Sequence, residues 1–184
     1  ETEPKTTYDW STYKYGNGTY GSMTKYCTNS EYGIVDNKTI LELSDDAAHV
    51  NWGGSWRMPT KAEQDELMDT DNCTWEWTTQ NEVNGYKVTS KINGNSIFLP
   101  AAGILIGSDV RLANSRGEFW SSSSNGDYDY SAYDIYIYSG GISMISSDRD
   151  NGQSVRAVFG EKQTFTVSVS AGTGGSATAS AESV

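Results

Sequence analysis

The hydrophobic pattern divides the chain into an aperiodic start, two short helices and a series of short strands. Tyr8, Trp10, Tyr13, Tyr15, Tyr20 and Tyr26 fall irregularly among Gly16, Gly18 and Gly21. This predicts irregular, partly extended structure over residues 1–40, pinned by aromatic side chains. A first helix is predicted from Ser44. Ser44 caps it, Asp45 and Asp46 favour the positive end of its dipole, and Gly53-Gly54 ends it. Ala47, Ala48 and Val50 are its expected inward positions. The second helix starts at the capping box Thr60-Lys61-Ala62-Glu63, just after Pro59, and runs to about Met68. Its expected buried side is Ala62, Leu67 and Met68.

From there the period changes to two. Trp75 to Thr79 reads as a strand, and Tyr86–Lys91 and Ser96–Leu99 as a hairpin turning at Asn93-Gly94. Phe119–Ser122 is a further strand. Tyr133 to Tyr138 alternates strictly, with Tyr133, Ile135 and Ile137 on one face and Asp134, Tyr136 and Tyr138 on the other. Gly140-Gly141 turns it into Ile142–Ile145, and Gln153 to Phe159 closes the series. Two early helices followed by many short strands define an α+β fold. Composition shifts at Gly160. Residues 1–160 therefore read as one domain, and 161–184 as a β-hairpin tail or the start of a following repeat module.

Composition supports this picture: Gly, Ser, Thr, Asn and Tyr are plentiful, and aromatic residues make up 12% of the chain. Such rings build cores and also suit binding surfaces. The net charge of −11 arises from scattered acidic residues, and basic residues never cluster. Nucleic acid is disfavoured as a partner, because its binding needs a positive stripe. No apolar run is long enough to span a membrane, so direct insertion is not expected. Cys27 and Cys73 are compatible with a disulfide in an oxidising compartment or with two buried thiols, and their surroundings do not fit a zinc site.

Catalytic chemistry finds little to work with. His49 is the sole histidine, set between Ala48 and Val50, and no Gly-x-Ser-x-Gly elbow occurs. The chain is expected not to be an enzyme.

Three blocks stand out together. Residues 45–60 contain Trp52-Gly53-Gly54-Ser55-Trp56-Arg57-Met58-Pro59-Thr60. Residues 96–103 read Ser-Ile-Phe-Leu-Pro-Ala-Ala-Gly. Phe119-Trp120-Ser121-Ser122-Ser123 is followed by Gly152-Gln153-Ser154-Val155-Arg156-Ala157-Val158. Their order and spacing resemble the Fibrobacter succinogenes major paralogous domain family, found in surface proteins of Bacteroidetes, and the likeness covers residues 20–160.

The resemblance implies a C-type-lectin-like fold, distantly similar to the formylglycine-generating enzyme group. That group holds copper with two late cysteines, and here no cysteine follows Cys73. The likeness further implies a secreted or cell-surface location. It points to recognition of an extracellular protein or glycan by loops of the C-terminal half, at 104–118, 123–132 and 146–153. The candidate ligand-binding residues there are Asn125, Asp127, Tyr128, Tyr130, Asp148, Arg149 and Asp150. No cofactor is expected. A structural calcium, held by Asp127, Asp129, Asp148 and Asp150, is the alternative. The other functional readings are a carbohydrate-binding module attached to a polysaccharide-degrading enzyme and an architectural spacer of a surface assembly.

From the residues themselves, Trp52 and Trp56 are expected to fill the core. Arg57 is expected to be a buried guanidinium on backbone carbonyls or on a carboxylate such as Glu63. Arg156 is either an exposed strand residue or a second pin.

Overall fold

A computed structural model describes residues 2–161. The unit expected over 161–184 lies, beyond Glu161, outside the described residues. The rest is α+β, with two helices and mostly antiparallel strands.

Helix α1 spans Ala47–Trp52 and is capped by Asp46, not Ser44. Ser44 falls in a 3-10 turn, Leu43–Asp45. The Asp46 carboxylate is fully buried and accepts from the amides of Ala48 and His49. It also accepts from the amide of Met58 at 2.9 and 3.0 Å. One carboxylate thus caps the helix and ties it to strand β1 (Trp56–Arg57). Ala48 is buried but Val50 is exposed, because two residues turn a helix by roughly 200°. Gly53 ends the helix at φ +67°.

Helix α2, Lys61–Met68, carries the expected capping box. Its inward stripe is Gln64, Leu67 and Met68, at i, i+3 and i+4, while Ala62 points to solvent. The Gln64 side-chain nitrogen donates to the Phe119 carbonyl at 2.9 Å. Arg57 is buried and forked onto Glu63 at 2.7 and 2.6 Å. It also donates to the carbonyls of Gly160 and Glu161. Trp52 and Trp56 do not fill the core. Trp56 stacks edge to face with Trp52 on one side and with Phe159 on the other, all at the surface.

Two three-stranded antiparallel sheets enclose the main core. One holds β2 (Cys73–Gln80), β3 (Val83–Ser90) and β4 (Ser96–Pro100). The other holds β7 (Arg116–Ser124), β8 (Ser131–Tyr138) and β9 (Gly141–Asp148). Between β4 and β7 the chain forms a small hairpin of β5 (Ile104–Ile106) and β6 (Asp109–Arg111), in place of the free loop expected over 104–118. Cys73, Tyr86, Val88, Leu99, Phe119, Ile135 and Ile137 meet in one cluster, covered by Leu67 and Met68 of α2. Only Val158–Phe159 of the closing segment is a strand, β10, paired with β1. Gly152 and Ser154 make single bridges instead. Arg156 is exposed and donates to the Phe98 carbonyl. Gly103 explains the end of its block: φ is +81°, and a Cβ there would lie 2.3 Å from the Arg111 carbonyl.

A second cluster is built from the aperiodic start: Tyr13, Tyr15, Met23, Tyr26 and Cys27. Their rings contact edge to face in series, Trp10 to Tyr13 to Tyr15 to Tyr26. Both cysteines are buried free thiols, one in each cluster.

The β2–β3 hairpin turns at Asn81-Glu82, both at positive φ (49° and 66°). Glu82 occupies a position that favours glycine. Replacing it by glycine removes a left-handed penalty of about 1–2 kcal/mol, offset in part by chain entropy. Glu82→Gly is expected to raise the unfolding free energy by up to about 1 kcal/mol in urea titration, with an unchanged m-value.

Candidate functional site

Strand β7 does not pair evenly with β8. The register jumps between Trp120, opposite Asp134, and Ser124, opposite Ala132. The extra residues leave the β7–β8 ladder, and their backbone is used elsewhere. The Ser122 amide donates to the Pro59 carbonyl, and its carbonyl accepts from Leu41. The Ser124 amide donates to the Thr39 carbonyl. A bulge that re-aims a strand in this way is a common frame for a site.

After the bulge the chain forms the loop 125–130, which is tied to the N-terminal segment by Asp129. That carboxylate is fully buried and accepts from the amides of Thr28 and Asn29 at 2.7 and 2.8 Å. It also accepts from the Thr28 hydroxyl at 3.1 Å. Arg149 completes the junction. Its guanidinium donates to the Tyr13 hydroxyl at 3.0 Å and to the carbonyls of Tyr26, Lys25 and Asp129. The charge lies over the faces of Tyr13 and Tyr26. Among the described residues no carboxylate pairs with it in an ion pair; carbonyl dipoles and ring faces compensate it.

This junction brings five rings together on the outside. Tyr130 contacts Tyr20 at 4.8 Å, Tyr32 at 5.3 Å and Tyr128 at 5.7 Å between ring centroids. Trp10 closes against Tyr20 at 5.5 Å. Tyr20 is 60% exposed and Tyr128 50%. The Tyr130 hydroxyl, then desolvation and the Asp148 carboxylate, push the Tyr20 phenol up to about 12. The Tyr20 phenol therefore stays neutral at physiological pH and offers hydrogen bonds beside flat apolar faces.

The candidate residues separate by position. Asp127 and Tyr128 are exposed, while Tyr130 and Asp148 are half-buried. Asn125, Arg149 and Asp150 are buried. Asn125 shapes its own loop, accepting from the Asp127 amide and donating to the Ser146 hydroxyl. Arg149 is fully engaged in the junction. Ser146 to Asp148 belongs to β9 and not to a loop. Trp10, Tyr20 and Tyr32 are not among the sequence candidates, since their irregular spacing gives no sign that they would meet residues a hundred positions away. Among the described residues no group of three or more His, Cys, Asp or Glu side chains is placed to hold a metal ion. The Asp129 carboxylate already accepts from protein donors. His49 Nδ1 lies 3.2 Å from the Trp56 carbonyl oxygen.

A second set of acids lies inside the sheet. Glu118 is fully buried, paired with Arg116 and accepting from the Gln153 amide at 2.8 Å. Asp134, on the same face of β7–β8, is also fully buried. Burial pushes Asp134 up to about 7, opposed in part by Ser147, Gln153 and Arg116. Asp150 rises to about 6 through burial and the neighbouring Asp148.

No family model, curated protein or solved structure gives a significant match to the chain.

Two outcomes follow from these buried charges. Arg149→Met is expected to destabilise by about 3 kcal/mol, and Arg149→Lys to recover little, since an ammonium cannot span the same acceptors. Thermal melts would check both. For Asp134 the folded state holds its proton up to about pH 7, whereas the ordinary value is 3.8. The folded protein therefore binds more protons than the unfolded chain between these values, and stability falls as pH rises across that window. Asp134→Asn should flatten the fall and be the more stable form at pH 8 by on the order of 2 kcal/mol. Asp150 leaves a smaller residual slope. Urea titrations at pH 4, 6 and 8 would measure it.

Proposed function

We propose that this chain is an extracellular, non-enzymatic recognition module on a C-type-lectin-like scaffold, binding a protein or glycan through the aromatic platform. The observation that carries the reading is the convergence of Trp10, Tyr20, Tyr32, Tyr128 and Tyr130 from two distant segments. A cluster of rings with polar hydroxyl edges, rimmed by Asp127 and Asp148, fits sugar faces and peptide side chains. A rigid base reduces the ordering cost of binding, and Asp129 and Arg149 supply one here. The three-block resemblance supports the extracellular setting and the scaffold. No bound calcium enters this reading.

A second reading, an architectural spacer, draws on a different surface. Trp52 and Phe159 are 60% and 70% exposed and stack through Trp56 into an apolar ridge on the β1–β10 ribbon. Such a ridge is a contact surface for a neighbouring unit.

Glycan and protein arrays probed with the whole chain would test the platform. Tyr128→Ala is expected to weaken array binding about tenfold or more, while changing stability by less than about 0.5 kcal/mol because the ring is half exposed. Undiminished binding by Tyr128→Ala and by the double variant with Tyr130→Ala would reject the platform as the binding surface. A Trp52→Ala variant that loses all binding would favour the spacer reading.

A further inference from the structure

The two three-stranded sheets present edges at β2, β4, β7 and β9. The edge of β7 is covered. Its Arg116 and Glu118 carbonyls accept from the amides of Gly103 and Ser154, and its Trp120 amide donates to the Ser154 carbonyl. The edge of β4 is blocked by Pro100, which has no N–H, and by Arg156, which occupies the Phe98 carbonyl. The edge of β2 carries Glu76 near its middle. The edge of β9 has none of these devices. Gly141–Asp148 holds no proline and no lysine, its one charge is at its last residue, and it pairs with β8 without a break in register. An edge of this kind is a template for another strand.

The alternation of the ladder decides which groups that edge offers. Just past β9 the Arg149 amide donates to the Tyr130 carbonyl, in the register of the strand pairs. Counting back by twos, Ser147, Ile145 and Ser143 bond toward β8. Ile142, Met144 and Ser146 turn their N–H and C=O the other way. Among the described residues no group of the protein bonds to these outward atoms. The ladder position after them is closed, since the Asp148 carbonyl accepts from the Asn151 amide.

Charge and size select the strand that fits. A second copy of β9, antiparallel about a two-fold axis at Met144, sets Ile142 opposite Ser146, Ser143 opposite Ile145, and Met144 opposite its own copy. Each outward N–H then meets a C=O of the partner, and each isoleucine meets a serine. Ile142, Met144 and Ile145 are half-buried in the single chain, so the partner covers apolar surface as well. The two Asp148 carboxylates fall at opposite ends of the ladder, about 25 Å apart and beyond the Debye length of physiological salt. The same operation on β2 would set Glu76 of both copies on neighbouring pairs, where like charges repel.

We propose that β9 is a self-pairing edge, through which two copies of this chain join antiparallel over Ile142–Ser146 into one continuous sheet. The edge carries none of the platform rings.

Sedimentation equilibrium on the whole chain is expected to show a monomer–dimer equilibrium with Kd of about 100 μM or tighter. Added salt should tighten it, because two chains of charge −11 repel each other less when screened. Ser146→Pro removes an outward N–H and no bond to β8, and should weaken dimerisation about tenfold or more. Thr79→Pro, the same change on the edge of β2, should leave it unaltered. Should Ser146→Pro fail to fold, cross-linking decides. Met144→Cys sets two thiols across the axis with Cα atoms about 5.5 Å apart, within disulfide reach, and should give a covalent dimer on oxidation. Ser146→Cys, whose copies lie about 13 Å apart, should not. A monomer at every concentration up to about 500 μM overturns the pairing. So does a dimer lost in Thr79→Pro, one indifferent to Ser146→Pro, or one that cross-links through Ser146→Cys and not through Met144→Cys.

Discussion

A buried guanidinium met by carbonyl oxygens and ring faces holds the candidate surface in place. Arg149 sits at the end of β9 and reaches into the aromatic start of the chain, where carbonyl oxygens of Lys25, Tyr26 and Asp129 and the Tyr13 hydroxyl surround it. Removing such a charge from water costs several kcal/mol unless every donor is met. The segments that supply the acceptors cannot drift apart without exposing that cost. Asp129 makes the converse contact, a buried carboxylate answered by amides of Thr28 and Asn29. Both charges come from the C-terminal half and both are met by groups of the N-terminal segment, and the rings of the platform are fixed as a consequence.

The same sharing of one group among several elements appears at the helices. Asp46 caps α1 and holds the Met58 amide, and Glu63 closes the α2 capping box while gripping Arg57. Arg57 in turn holds the carbonyls of Gly160 and Glu161. In each case a single ionised side chain satisfies donors or acceptors from two or three elements. This suits a chain poor in aliphatic residues, where apolar burial alone offers less definition and polar networks set the geometry.

Local chemistry was legible where it acts over a few residues. The Thr60–Glu63 capping box, the Asn93-Gly94 turn and the alternation over 133–138 each correspond to an observed element. Arg57 on Glu63 was legible too, because both lie in one short block. What escaped reading is non-local. Asp134 alternates like a surface residue but is fully buried, with Ser147, Gln153 and Arg116 acting on it from positions distant in the chain. Trp52 and Trp56 read as core by hydrophobicity alone, yet the six-residue helix and two-residue strand that carry them leave their rings outside. Ser44 is as good a cap by type as Asp46; only the position of Met58 in space decides between them. At the candidate site, Tyr128 and Tyr130 were visible as a polar aromatic loop, whereas their N-terminal partners were visible only as unexplained tyrosines.

The distribution of unmet polar groups separates frame from site. Arg57, Arg149, Asp46 and Asp129 are buried and engaged within the protein, so they define shape and have little left to offer a ligand. Ser122, Asp150 and Gln153 carry unpartnered polar atoms closed off from solvent, and Tyr20 and Tyr128 retain exposed faces. Folding selects strongly for the first kind of arrangement and against the second. The β7 bulge produces both. It sends Ser122 and Ser124 to pair with residues 39–41, which sets the frame, and residues 120–124 line a space of about 150 Å³ there. The break in register and that space fall at the same place in the fold, so the irregular strand serves the frame and the wall of the space together.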